Sequence, residues 1–154
     1  MTEKIKTLMN ELGVKGEIIN HPEVDGTHSD DIANALNIPI DNIIKCLILK
    51  SKKKNLVAAI ILGNQRLSME KLEKISGYKK FSFASRELIE RSIGYQIGGV
   101  PPIAVYKIMP VFVDSAVFLK SFVIGSAGTP FTGLKIEPKV FNRLNYTICD
   151  ICSN

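Results

Sequence analysis

Two seven-residue apolar runs, 43–49 (Ile-Ile-Lys-Cys-Leu-Ile-Leu) and 56–62 (Leu-Val-Ala-Ala-Ile-Ile-Leu), flank the turn Ser51-Lys52-Lys53-Lys54-Asn55. Runs this short and this rich in branched side chains predict adjacent strands of a hairpin, covered on both faces. The pairing constrains the fold more than any other stretch, and it sets up a conflict at one position. In a strand Lys45 shares a face with Ile43, Leu47 and Leu49, while Ile44, Cys46 and Ile48 point the other way. An ammonium among such neighbours is costly unless it is paired or opens onto a cleft. The alternative is a lysine near a strand end that carries its head out to water. Lys45 is therefore a candidate site residue.

With 154 residues, 45% hydrophobic and 23% charged, the chain suits one domain over residues 1–154, built on one core. No apolar run approaches the roughly 20 residues of a membrane helix. The amino terminus lacks the apolar core of a signal peptide, so a cytoplasmic protein with no membrane partner is expected. A net charge of +5 favours polyanionic partners without specifying one. The three cysteines, Cys46, Cys149 and Cys152, are an odd count in a chain with no expected export signal, which argues against a disulfide scaffold. Cys149 and Cys152 lie three apart at the end of an expected strand, which points them to opposite faces and argues against a metal or redox pair.

Along the chain, Ile5, Leu8, Met9 and Leu12 have helical spacing, and 17–20 reads as a first strand stopped by His21-Pro22. Asp25-Gly26-Thr27 reads as a turn, with Thr27 or Ser29 capping a helix over 30–36. The lysines of 51–55 fit a solvated hairpin tip, with contact to RNA phosphates as the alternative. Ser68 and Ser85 are expected to cap two packing helices, ended near Ser76 and by Gly94. The loop 95–102 pairs glycines (Gly98, Gly99) with prolines (Pro101, Pro102), a combination that lets a ligand approach a stiffened main chain. Residues 103–106, 111–114, 122–125, 132–136 and 146–151 read as strands, with a short helix from Pro138 through Leu144. Gly125-Ser126-Ala127-Gly128 is a second place where main chain could approach a ligand. About seven strands and five helices in mixed order predict an α+β fold with a curved or closed sheet.

The ordered combination of His21 after a proline-stopped strand, Lys45 in an apolar strand, Gly98-Gly99-Val100-Pro101-Pro102, Val111-Phe112-Val113-Asp114, Gly125-Ser126-Ala127-Gly128 and Leu134-Lys135-Ile136-Glu137-Pro138 resembles the YbaK/ProX family, the prolyl-tRNA-synthetase-associated editing domains. The resemblance runs from about residue 18 to 151, and with no synthetase body attached it is to the free-standing members. It implies a mixed, barrel-like sheet of about seven strands with surrounding helices. It also implies an aminoacyl-tRNA deacylase acting in trans on mischarged tRNA, with no cofactor or metal and with an aminoacyl-tRNA synthetase as a further partner. Lys45 matches the family's essential lysine. His21, Thr27, Gly98, Gly99, Val100, Pro101, Gly125, Ser126, Ala127 and Gly128 fall at the positions expected to contact the aminoacyl group and terminal adenosine. Ala104, where many members carry glycine, and Gly128-Thr129-Pro130 depart from the family pattern and bear on amino-acid specificity.

The chemistry agrees with the residues. A lysine tip in a pocket can hold an ester oxygen and stabilise the oxyanion formed on attack. No carboxylate or histidine is evidently placed as a general base, so water or a terminal ribose hydroxyl is the expected nucleophile. The substrate expected is of the Ala-tRNA(Pro) or Cys-tRNA(Pro) type. Three other readings compete: a non-catalytic module binding tRNA ends or nucleotides, a structural partner of a synthetase complex, and a thiol hydrolase built on Cys46. Burial opposite Lys45 would leave that thiol inert.

Overall fold

The computed structural model describes residues 2–154. An amphipathic helix α1 (Thr2–Leu12) buries Ile5 and Met9 and ends at Gly13, whose φ of +64° suits a residue without Cβ. It leads into strand β1 (Glu17–Asn20) and then helix α2 (Ser29–Leu36). A single 3₁₀ turn (Ile40–Asn42) delivers the chain to β2 (Ile44–Lys50), which turns through 51–55 into β3 (Leu56–Leu62). Helix α3 (Met69–Ser76), the two-residue β4 (Ser82–Phe83) and helix α4 (Arg86–Ile93) follow. After a long loop come β5 (Val111–Asp114), β6 (Val123–Ser126), β7 (Thr132–Ile136) and β8 (Thr147–Cys149). Two further 3₁₀ segments, Ser115–Leu119 and Pro138–Leu144, fill the remaining connections.

The expected α+β class holds, but the barrel does not form. The strands make two sheets, β1-β7-β6 and β4-β2-β3-β5-β8. Among the described residues they meet at one parallel bridge, Ile43 to Ile124. The larger sheet is mixed: β2 and β3 pair antiparallel over their whole length, while β5 lies parallel to β3 and β8 parallel to β5. Alternation along β2 gives this sheet two apolar faces. Ile44 and Ile48 face a large core with Ala58, Ile60, Val113 and Phe141. Leu49 faces a second cluster with Val57, Ile61 and Leu72 of α3. Burial of these side chains stabilises the fold at about 1.5–3 kcal/mol each.

Several sequence expectations are corrected. Residues 103–106 are not a strand: Pro101 O accepts from Ala104 N at 3.0 Å, and Val105 O accepts from both Ile108 N and Met109 N. The segment is apolar because Ile103 and Val105 are fully buried, not because it is extended. Neither Thr27 nor Ser29 caps α2; the cap position is His28, with no side-chain bond, and the Thr27 amide instead donates to Asp25 Oδ1 at 2.8 Å. The last helix is 3₁₀ in form, and the last strand covers only Thr147–Cys149. Because that strand stops at Cys149, Cys149 and Cys152 bury into the same cluster rather than on opposite faces.

The two serine caps are present. Ser68 Oγ accepts from Lys71 N at 3.2 Å, and Ser85 Oγ from Leu88 N at 3.1 Å. Ser85 is exposed and the cap is its side chain's one recorded bond, so Ser85→Ala isolates that bond. We expect a loss of about 1 kcal/mol in urea unfolding with an unchanged m-value.

Candidate active site

Between the Ile43–Ile124 bridge to β6 and the pairing with β4, β2 has no strand on its outer edge. β4 covers β2 only at Leu49 and Lys50, and Ile48 O accepts from Ala84 N at 2.9 Å. Ile43 O, by contrast, accepts from Gly63 N on the β3 side. Main-chain groups alternate sides along an antiparallel strand, so Cys46, like Ile48, directs its N–H and C=O to the open edge. A cavity of about 170 Å³ lies along this edge, lined by residues that include His21, Thr27, Lys45, Gly98, Val100 and Ser126. The open strand edge and the lysine thus occur together.

Three loops close the cavity by main-chain approaches that leave no room for side chains. A Cβ on Gly26 would stand 2.3 Å from Gly98 O and 3.0 Å from Pro130 O. One on Gly99 would stand 2.9 Å from the Thr129 carbonyl carbon, and one on Gly125 would stand 2.7 Å from Pro102 Cγ. The Gly26 amide donates to Pro130 O at 2.7 Å, and the His21 amide to Phe131 O at 2.9 Å. Pro102 is anchored from behind by Tyr146, whose hydroxyl donates to Pro102 O at 2.6 Å while its ring stacks on Phe141. Burial holds that phenol in its neutral form by raising its pKa.

The Lys45 side chain is half-buried, and its Nζ donates to Gln65 O at 3.0 Å. Burial lowers its pKa from the ordinary lysine value, with Arg66 lowering it further and Asp30 opposing. One of three ammonium hydrogens is thereby fixed on a carbonyl, and the others can serve a ligand. Nothing in the sequence marks Gln65 as the partner, because the accepting atom is a main-chain carbonyl twenty residues away.

His21 is only 5% exposed, and its Nδ1 lies 3.0 Å from Val24 O. A carbonyl can only accept, so Nδ1 carries a hydrogen toward Val24 O, and Nε2 is left as the ring nitrogen for any other partner. Among the described residues no buried side-chain nitrogen lacks a partner, and Nε2 takes part in no recorded bond. Nε2 is therefore not sealed in the core, and His21 is one of the residues lining the cavity. The sequence shows no histidine placed to take a proton; the Val24 carbonyl, which fixes this ring in the cavity wall, has no local signal.

The remaining expected contact residues divide. Thr27, Gly98, Val100, Gly125 and Ser126 line the cavity. Gly99, Pro101, Ala127 and Gly128 do not. Ala127 is fully buried in the main core, and Gly128 N donates to Ser126 Oγ at 3.2 Å, which orients that hydroxyl. Asp114 is also removed from the cavity: its carboxylate accepts from Ala116 N and Ile151 N, tying the chain end to β5.

The three thiols are poor nucleophiles in this setting. Burial pushes Cys46 up to about 12, Cys149 to about 11 and Cys152 to about 12. Treatment with iodoacetamide at pH 7 should therefore leave ester hydrolysis intact. Inactivation in step with alkylation of Cys46 would restore the thiol mechanism.

The family model of the aminoacyl-tRNA editing domain matches residues 21–144. A candidate Cys-tRNA(Pro)/Cys-tRNA(Cys) deacylase, EbsC, from Enterococcus faecalis is 34% identical over 120 residues, covering 78% of this chain and 73% of that protein. A proline–tRNA ligase from Thermosipho africanus is 31% identical over 108 residues, which are 70% of this chain but only 19% of the ligase. The crystal structure of a candidate trans-editing enzyme for prolyl-tRNA synthetase superposes with a TM-score of 0.85 at 21% identity, covering 99% of this chain and 97% of that one. The last likeness carries the fold; the first two, with the family model, place the chain among the aminoacyl-tRNA editing domains.

Proposed function

We propose that residues 1–154 form one editing domain, a deacylase that cleaves the ester of mischarged tRNA in trans in the cytoplasm. The observation that carries this reading is the half-buried Lys45 on the open edge of β2, beside a cavity closed by three interlocking loops. Its size suits a small aminoacyl group rather than a large one. No helix among the described residues is long and apolar enough to cross a membrane.

The chemistry follows from the donors and acceptors on the wall. Lys45 Nζ, held on Gln65 O, offers hydrogen to the ester carbonyl and gains interaction as that oxygen becomes an oxyanion. The outward-facing Cys46 amide is a second donor on the same edge, and Cys46 C=O accepts from the free α-ammonium of the substrate. His21 Nε2 accepts from the attacking water or from a terminal ribose hydroxyl. The rest of the rate gain is positioning.

Alanine or cysteine on proline tRNA is the substrate we favour, following the EbsC and proline–tRNA ligase relatives. An apolar pocket gains only about 1–3 kcal/mol per methylene, which is why small amino acids need a separate editing site. The test is incubation with a panel of mischarged tRNAs, measuring free amino acid. Catalytic release of alanine or cysteine from proline tRNA supports the proposal. Stoichiometric binding without release would make the chain a tRNA-end-binding module instead.

A further inference from the structure

A strongly basic surface lies at the far end of β2 from the cavity. The hairpin 51–55 exposes Lys52, Lys53 and Lys54, and Lys50 stands half-exposed beside them. A second turn joins it: Lys52 N donates to Lys79 O at 3.0 Å, placing exposed Lys79 and Lys80 against the hairpin. Among the described residues none of these six lysines takes part in an ion pair. The one carboxylate recorded here, Glu73, accepts from the Lys80 main-chain N–H rather than from an ammonium.

Two features go beyond a tip kept soluble by charge. Lys54 and Lys80 have φ of +67° and +54°, a region that glycine or asparagine fills with less strain, so charge is held there at a backbone cost. Phe83, 60% exposed on β4, is paired with Leu49, one register position from the Lys50–Ser82 pair. An exposed aromatic on the strand that flanks the lysine turns suits a contact surface better than a purely solvated one.

The spacing indicates the partner. Lys45 and Lys50 are five residues apart along β2, about 17 Å, and Lys52 lies in the turn just beyond. Phosphates repeat at roughly 3.4 Å along one stacked nucleic-acid strand, so a terminal nucleotide at Lys45 puts the tip about five or more nucleotides along the chain. That is beyond the single-stranded 3′ end and within the first base pairs of a stem. We infer that the two lysine turns dock the phosphate backbone of the duplex RNA stem adjoining the aminoacylated 3′ end. This rests on the deacylase reading for the position of the 3′ end, but the RNA contact is measurable without turnover.

The experiment compares wild type with a tip variant, Lys52→Gln, Lys53→Gln, Lys54→Gln, Lys79→Gln and Lys80→Gln. A second variant neutralises five lysines elsewhere: Lys4→Gln, Lys6→Gln, Lys15→Gln, Lys107→Gln and Lys139→Gln. Starting from +5, each loses five charges and has formal net charge zero, so place is separated from total charge. The probe is an uncharged RNA minihelix with a single-stranded 3′ end, titrated by fluorescence anisotropy over a salt series. The tip variant should bind at least about tenfold more weakly at 0.1 M salt, with a log Kd against log salt slope shallower by about two to three. The second variant should keep most of the wild-type affinity and slope. Hydrolysis of a short aminoacylated single-stranded oligonucleotide should be the same in wild type and tip variant.

Wild-type minihelix affinity and slope in the tip variant would overturn the inference, as would an equal loss in the second variant. Loss of binding to anionic phosphatidylserine vesicles with minihelix binding unchanged would also overturn it, in favour of a lipid surface. Tip-dependent minihelix binding by a protein that hydrolyses no aminoacyl ester would sustain the docking surface and refute the deacylase.

Discussion

Lys45→Ala should reduce deacylation of mischarged tRNA by at least about a hundredfold in kcat, the scale set by removing a single oxyanion donor. Its fold should survive. Lys45 is half-buried, and its one recorded bond goes to Gln65 O, a carbonyl on a turn that water can reach after truncation. The loss of an ammonium whose own burial is unfavourable offsets the loss of that bond. Lys45→Met refines the result by keeping the aliphatic stem against its neighbours while removing charge and donors. If Lys45 serves only to pack β2, Lys45→Met should be active and Lys45→Ala less so. If its tip polarises the ester, both should be equally poor, with near-native urea midpoints. Near-normal turnover in either variant would remove Lys45 from the mechanism.

The second large effect is expected at Gly26→Ala. A Cβ there would meet main-chain oxygens of two different loops, at 2.3 Å from Gly98 and 3.0 Å from Pro130. Neither contact is the far end of a flexible side chain, so the loops must part. The bond from Gly26 N to Pro130 O would lengthen, and the Gly98 and Ser126 walls of the cavity would separate. Overpacking of this kind costs about 1–3 kcal/mol in stability. The activity loss should be larger than that fraction of unfolding explains, because an ångström of misplacement can cost a hundredfold. Circular dichroism should show a folded protein at 25 °C while kcat/KM falls by about two orders of magnitude. A Gly26→Ala enzyme with wild-type kinetics would mean the three loops do not define the reacting geometry. By contrast, alanine at Gly77 meets no heavy atom within 4 Å, and only its φ of +79° opposes the change.

What could be read from the chain beforehand was what depends on local pattern. The β2–β3 hairpin follows from two branched apolar runs, and the period-two argument puts Leu47 and Leu49 opposite Cys46, where the two core clusters have them. The serines before α3 and α4 are helix starts by side-chain chemistry alone. Long-range main-chain geometry was not legible. The open edge of β2 exists because β4 is only two residues long, and no local pattern reports the length of a neighbouring strand. The Gln65 carbonyl under Lys45 and the Val24 carbonyl that fixes His21 are identical in kind to every other carbonyl in the chain. Residues 103–106 misled for a related reason: burial makes a turn as apolar as a strand. Whether the curved sheets close was not legible either, because element order does not say whether the outer edges of β1 and β8 meet.

The central claim is tested most directly by adding an alanyl-adenosine analogue, with an amide in place of the ester, to protein labelled with ¹⁵N at lysine side chains. The account predicts that the Lys45 Nζ resonance, assigned by its absence in Lys45→Met, shifts and gains protection from exchange while the hairpin lysines stay unchanged. Saturable binding of the analogue with no change at Lys45 would contradict it.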